Sequence, residues 1–140
     1  MVLTDTGFWY AFFNSKDKHH QQAVHLMQNL DEGLITTWPV ITETSYLLEK
    51  ALGVPSQLRF ISALESDYVE ISDITKLNLS RIQELIKKYA DLPMDLADAT
   101  LVILAEELGH GRILSTDLRD FRAYRWKNHN PFQNLLLPDS

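Results

Sequence analysis

Two acidic residues stand directly after short apolar runs in this chain of 140 residues. Asp5 ends the stretch "VLTD", and Asp117 ends "RILSTD", which has the same texture. Each run predicts a buried strand. Because ligands bind outside the carboxyl ends of strands in parallel α/β sheets, both carboxylates are predicted to lie at a functional edge.

Three more acids belong to predicted helices with apolar neighbours. Asp95 and Asp98 open "DLADATLVILAEELG", and their spacing of three residues places both on one helix face. The apolar continuation of that helix predicts that it is buried. Glu43 lies near the start of another helix, in "WPVITETSYLL". Helix caps and favourable first-turn charges are the alternative explanation for each acid taken singly.

Taken together, these acids predict a cation site. Four or five carboxylates near one sheet edge would repel one another unless a cation bound them. The chain has no cysteine, and its five histidines show no metal-ligand spacing beside the acids. Oxygen ligands favour Mg²⁺ or Mn²⁺ over Zn²⁺, and such ions serve phosphoryl chemistry.

Four segments in this order resemble the PIN domain, and more narrowly the VapC-like ribonuclease toxins of prokaryotic toxin–antitoxin pairs. The segments are "VLTDTGFWYAFF", "ITETSYLL", "MDLADATLVILAEELG" and "RILSTDLRDF". The resemblance spans Val2 to about Pro138. Each motif is weak by itself, whereas their order, spacing and total length are specific.

The resemblance implies a role for each acid. The family's catalytic acids match Asp5, Glu43, Asp98 and Asp117, with Asp5, Asp98 and Asp117 as metal ligands. Supporting positions match Thr6, Asp95, Thr116 and Asp120. The implied activity is metal-dependent hydrolysis of RNA phosphodiester bonds with Mg²⁺ or Mn²⁺, and the sequence does not indicate which acid accepts the proton.

Three functional hypotheses remain open at this point. The first is an endoribonuclease toxin restrained by a cognate antitoxin protein. The second is a PIN-domain nuclease in RNA processing or decay. The third is a catalytically silent PIN-like binding module, against which the retention of all four acids argues.

The pattern of strands and helices predicts the architecture. Short strand patterns near residues 2–5, 34–37, 68–71 and 112–115 alternate with helical patterns. This alternation predicts a three-layer α/β/α sandwich with a mainly parallel central sheet. The length suits a single PIN-like domain over residues 1–140, with one more short strand predicted near Arg125.

Charge and apolar residues bear on partners and location. The net charge of −6 argues against general nucleic-acid coating, so RNA contact is assigned to a basic stretch with Arg112, Arg119 and Arg122. The aromatic run from Phe8 to Phe13 is too dense to face inward entirely, and it indicates a partner surface. The resemblance implies an antitoxin there and a homodimer. No leader or apolar span of membrane length is present, so we expect a cytoplasmic protein without membrane contact.

Overall fold

The computed structural model describes residues 1–138. Seven strands are present in this part of the chain: β1 (Val2–Thr4), β2 (Leu34–Thr37), β3 (Val69–Ser72), β4 (Arg112–Leu114), β5 (Arg125–Trp126), β6 (Asn130–Pro131) and β7 (Gln133–Asn134). Five of them form a sheet in the order β3-β2-β1-β4-β7, and every neighbouring pair in it is parallel. The strands β5 and β6 form a separate antiparallel ribbon.

Seven α-helices connect the strands within the described residues. They are α1 (Thr6–Phe13), α2 (His20–Asn29), α3 (Trp38–Leu52), α4 (Val54–Ala63), α5 (Leu79–Lys88), α6 (Leu96–Leu108) and α7 (Leu118–Ala123). A short 3₁₀ helix, Lys76–Asn78, precedes α5. The predicted α/β/α sandwich with a mainly parallel sheet is confirmed.

Three differences from the predicted elements have local causes. The sequence predicts a helical turn over residues 8–13, whereas helix α1 starts at Thr6 because the Asp5 side chain caps it. The periodicity of residues 77–89 predicts one helix, whereas the structure has a 3₁₀ turn before α5 because Thr75 and Asn78 form a capping box. Strand β7 was not predicted, since two residues carry no periodic signal.

Helix α6 is the central packing element. Eight of its thirteen residues are buried, and it contacts β1, β2, α3 and α5. This explains why its sequence is apolar on all sides instead of amphipathic. Because α6 packs against the central strands β1 and β2, the first turn of this helix, which carries Asp98, is held in a fixed position against the sheet.

Within residues 1–138, no helix combines the length and the apolar character that crossing a membrane requires.

Loss of packing at α6 is expected to destabilise the fold. Leu101 is fully buried, and Leu101→Ala should lower the free energy of unfolding by about 2–5 kcal/mol through reduced apolar burial and a residual cavity. Urea denaturation measures the change. Leu77 is 93% exposed, so Leu77→Ala is the matched control and should change stability by less than about 0.5 kcal/mol. Equal losses of stability in both variants would contradict the central role of α6.

Candidate active site

The carboxyl ends of the central strands gather the predicted acids. Asp5 follows β1, and Asp117 lies three residues beyond the end of β4, which pairs with β1. Glu43 lies in the second turn of α3, which begins directly after β2. Asp98 lies in the first turn of α6. Four elements that are distant in sequence therefore bring one acid each to the same edge of the sheet.

Asp5 is the most deeply buried of these acids, with 5% of its surface exposed. Its Oδ1 accepts a hydrogen bond from the backbone N–H of Phe8 at 2.8 Å, which caps α1. Its Oδ2 accepts a hydrogen bond from the Ser115 hydroxyl. Burial raises the pKa of Asp5 to about 7, and this effect outweighs the lowering by both hydrogen bonds; the negative charges of Asp117 and Glu43 raise the pKa further.

Ser115 joins the first acid to the last. Its fully buried hydroxyl donates to Asp5 and accepts from the backbone N–H of Asp117 at 2.9 Å. Asn134 of β7 holds Ser115 in turn, because its side chain accepts from the Ser115 N–H and donates to the Ser115 carbonyl. The edge strand β7 therefore fixes the loop that carries Asp117.

Asp117 caps the short helix α7 through a hydrogen bond from the Asp120 N–H to its Oδ1 at 3.0 Å. Partial burial is the largest cause of a pKa raised to about 6, and the neighbouring carboxyl of Asp120 raises it as well. Asp120 is buried and accepts a hydrogen bond from Arg119 Nε at 3.1 Å. Its side chain thus lies between the acid site and a surface arginine.

Asp95 and Asp98 occupy the start of α6 as the spacing predicts. Asp95 caps the helix, since its Oδ1 accepts from the Asp98 N–H at 2.8 Å. Asp98 Oδ2 accepts a hydrogen bond from the Tyr124 hydroxyl at 2.9 Å. Burial raises the pKa of Asp98 to about 8, and the charges of Asp95, Asp5 and Asp120 add to that rise.

Glu43 completes the set from the α3 side. Burial is the largest cause of its raised pKa; the Thr6 hydroxyl lowers it and the carboxyl of Asp95 raises it. The Thr6 Oγ1 atom is buried, and no group within residues 1–138 lies in hydrogen-bond geometry with it. This leaves a buried oxygen beside the carboxylates.

Thr116 and Gly7 are in close contact across the site. A Cβ atom at Gly7 would lie 2.0 Å from Thr116 Oγ1, so the absence of a side chain at position 7 allows α1 and the β4 loop to approach. Ser115, not Thr116, is the hydroxyl that donates to Asp5. Sequence reasoning missed Ser115, although the period of two along a strand places it on the same face as buried Ile113.

The arginines predicted to contact RNA fall into two places. Arg119 and Arg122 lie on α7, whose first turn follows Asp117. Arg112 lies at the amino end of β4, at the opposite edge of the sheet, and forms a two-point ion pair with Glu32 at 2.8 and 2.6 Å. Arg112 is therefore separated from Asp117 by the length of β4, and its contact with RNA stays a prediction.

The acids lie close enough to interact electrostatically, but within residues 1–138 their side chains do not form a complete set of metal ligands. The charges of neighbouring carboxyl groups raise the pKa values of Asp5, Glu43, Asp98 and Asp117. Among residues 1–138, no three acidic or histidine side chains meet as a ready-made metal-binding group. The arrangement is a concentration of partly buried negative charge, a setting in which carboxylates serve as cation ligands or as proton acceptors.

The chain is similar to a known protein family and to individual known proteins. The family model for the PIN domain matches residues 2–127. The chain is 25% identical over 124 residues to the ribonuclease VapC26 of Mycobacterium tuberculosis, and the match covers 89% of this chain and 92% of that protein. It also resembles the crystal structure of Mycobacterium tuberculosis VapC20, described as a sarcin–ricin loop cleaving toxin, with a TM-score of 0.78 at 21% identity over 84% of this chain and 90% of that one. Because the family model matches residues 2–127, which is most of its length, the chain belongs to the PIN-domain family.

Proposed function

We propose that this protein is a metal-dependent endoribonuclease, the toxin of a toxin–antitoxin pair. The observation that carries the proposal is the set of four acids that four separate elements bring to one sheet edge, where burial and mutual repulsion raise their pKa values. Although Asp5 and Asp117 cap helices, ionisation of four acids so close together is unfavourable. The cluster is therefore best explained by a ligand that the ionised acids bind.

The donor set fits a hard divalent cation. All the candidate ligands are oxygens, namely carboxylates and the buried Thr6 hydroxyl, which suits Mg²⁺ or Mn²⁺. We assign Asp5, Asp98 and Asp117 as the ligands, with Glu43 as the fourth catalytic acid. Such a cation, when bound, would polarise the phosphate and favour ionisation of water.

The chain's own groups have separable tasks in that reaction. Asp5 and Asp117 are held by hydrogen bonds that leave their carboxylates ionisable at one end of the sheet. Glu43 lies in a more open position than Asp5, and its raised pKa suits a group that accepts a proton from water. Arg119 and Arg122 supply positive charge on the helix next to Asp117, where RNA phosphates would approach.

Two protein partners belong to the same proposal. The aromatic run is partly buried, with Trp9, Phe12 and Phe13 lining a groove of about 620 Å³ together with Met27 and Leu30. We propose this groove for the antitoxin. A second copy of the chain is proposed as a partner too, and cellular RNA as the substrate implies action in the cytoplasm.

The relative named ribonuclease VapC26 supports an RNA substrate for this chain. It matches nearly the full length of both proteins. A silent binding module has no comparable support, since the resemblance implies that all four catalytic acids are present.

Removing the buried carboxylate of Asp5 is expected to abolish activity. We expect purified protein, freed of any copurifying partner, to cut total cellular RNA with Mg²⁺ or Mn²⁺ and not with EDTA. Asp5→Asn should lower the rate by at least about 100-fold, the upper end of the loss for residues that only support metal ligands. Gel analysis and sequencing of the cut ends measure both results.

Asp67→Asn is the matched control, because Asp67 is an exposed acid outside the site, and it should cleave like the wild type. If folded protein that binds the metal cut no RNA in the pool, defined RNAs would be assayed next, because the substrate could be absent from that pool. Failure to cut those RNAs as well would make the nuclease proposal wrong and leave a silent binding module.

The raised pKa values predict an unusual dependence of stability on pH. Folded Asp5 and Asp98 take up protons near pH 7 and 8, whereas the unfolded acids stay ionised down to about pH 4. The folded state therefore binds more protons, and the free energy of unfolding of metal-free protein should rise from about pH 8 to about pH 6. Mn²⁺ should raise the melting temperature more at pH 8 than at pH 6, because protons compete for the same oxygens.

Asp98→Asn provides the comparison for this experiment. It should stabilise the metal-free protein at pH 8 and weaken both the pH dependence and the effect of Mn²⁺. His110 has a lowered pKa and acts in the opposite direction, so the difference between the two proteins isolates the acid. An Asp98→Asn curve parallel to the wild type would show that Asp98 is not a titrating group of the site.

The arginines of α7 are expected to set the salt dependence of cleavage. Arg119→Glu with Arg122→Glu should weaken cleavage at low salt and lower the slope of log kcat/KM against log salt by roughly 0.7 for each RNA phosphate that these arginines neutralise. Arg59→Glu on α4 is the control, since Arg59 is exposed and lies on another helix. An unchanged rate and slope in the double variant would exclude α7 as the RNA-facing surface.

A further inference from the structure

Tyr124 lies outside the predicted site and touches one of its acids. The residue directly follows α7 and is fully buried. Its ring meets the rings of Tyr89 and Phe121 edge-on, with centroids 5.0 and 5.1 Å apart. Contacts on two sides hold the ring in one orientation, so the direction of its hydroxyl is fixed by packing.

The hydroxyl points to the carboxylate of Asp98. It donates a hydrogen bond to Asp98 Oδ2 at 2.9 Å, which orients a side chain that otherwise turns freely about its last bond. When a bound cation or a high pH keeps Asp98 ionised, this hydrogen bond is stronger than one between neutral groups. The bond therefore selects one orientation of the carboxylate.

A series of hydrogen bonds through helix α7 and Tyr124 connects Asp98 to the other acids. The N-terminal cap of α7 is Asp117, and its last turn ends with the Tyr124 N–H bonded to the Asp120 carbonyl at 2.9 Å. The Asp117 N–H in turn donates to Ser115, which donates to Asp5. One chain of contacts thus runs from Asp5 through α7 to Asp98.

We propose that Tyr124 is a positioning residue that holds the Asp98 carboxylate in register with Asp5 and Asp117 for binding a divalent cation. The inference rests on the proposed function, because it assigns the same acids as metal ligands. Outer contacts of this kind are general at metal sites, where they orient the direct ligands. Tyr124 itself need not touch the cation or the RNA.

The competing explanation is that Asp98 merely satisfies a buried hydroxyl. Tyr89 makes the two explanations distinguishable. It belongs to the same aromatic cluster, and its hydroxyl accepts a hydrogen bond from the backbone N–H of Arg125 at 2.9 Å, away from the acids. Tyr89→Phe therefore removes one hydroxyl from the same cluster without removing a contact to a proposed ligand.

The experiment measures Mn²⁺ binding to the full chain by calorimetry. Tyr124→Phe keeps the ring and should weaken Mn²⁺ binding by about tenfold or more. The Mn²⁺ concentration for half-maximal RNA cleavage should rise by the same factor, and KM for RNA at saturating Mn²⁺ should stay unchanged. Tyr89→Phe should bind Mn²⁺ as the wild type does. In thermal unfolding, Tyr89→Phe should lose about as much stability as Tyr124→Phe.

Two results would overturn the proposal. One is a Tyr124→Phe protein that binds Mn²⁺ within about twofold of the wild type, and the other is an equal loss of affinity in Tyr89→Phe. A wild-type protein that binds Mn²⁺ but cuts no RNA would remove the nuclease proposal alone, since the role of Tyr124 is judged by affinity. A wild-type protein that binds no Mn²⁺ would overturn both.

Discussion

The burial of the Asp5 carboxylate is the constraint on which the rest of the site depends. A charged group with 5% exposure is unfavourable unless hydrogen bonds or a cation compensate. Two hydrogen bonds, from the Phe8 N–H and the Ser115 hydroxyl, compensate in part. Because the pKa of Asp5 still rises to about 7, these bonds do not complete the compensation. The protein therefore carries an unfavourable electrostatic arrangement at this edge, which a bound cation would relieve.

Helix capping and ligand binding are compatible roles for the same carboxylates. The sequence leaves them as alternatives, and the structure has Asp5, Asp95 and Asp117 capping α1, α6 and α7 with one oxygen each. A cap fixes a side chain against the first turn of its helix. The helices themselves are fixed by the sheet and by buried α6. Capping thus orients these carboxylates locally at the start of each helix. It leaves the second oxygen of each carboxylate for other contacts.

Much of the fold follows from the sequence because its signals are local and periodic. The parallel strands, the helix start marked by Pro39 and the buried helix after Asp95 each carry such a signal. Strand β7 does not, since its role depends on the Asn134 side chain reaching Ser115 across strands. Tyr124 gives no signal either, because it lies 26 residues from Asp98 and only tertiary packing brings them together. Arg112 is near Asp117 in sequence but lies at the other end of β4, so nearness in sequence does not by itself place a side chain beside the acids.

Helix α7 is the shortest helix near the site and carries the most tasks there. Asp117 lies at its start, Arg119 on its surface and Tyr124 at its end. The positions of the acid, the surface charge and the contact to Asp98 therefore all depend on this one helix. A helix of six residues has little stability of its own. Its position depends on Phe121 and Tyr124, both buried in the aromatic cluster. The apolar packing of Phe121 and Tyr124 therefore determines where the charged groups of α7 lie. Any shift of this helix would change the distance between Asp117 and Asp98.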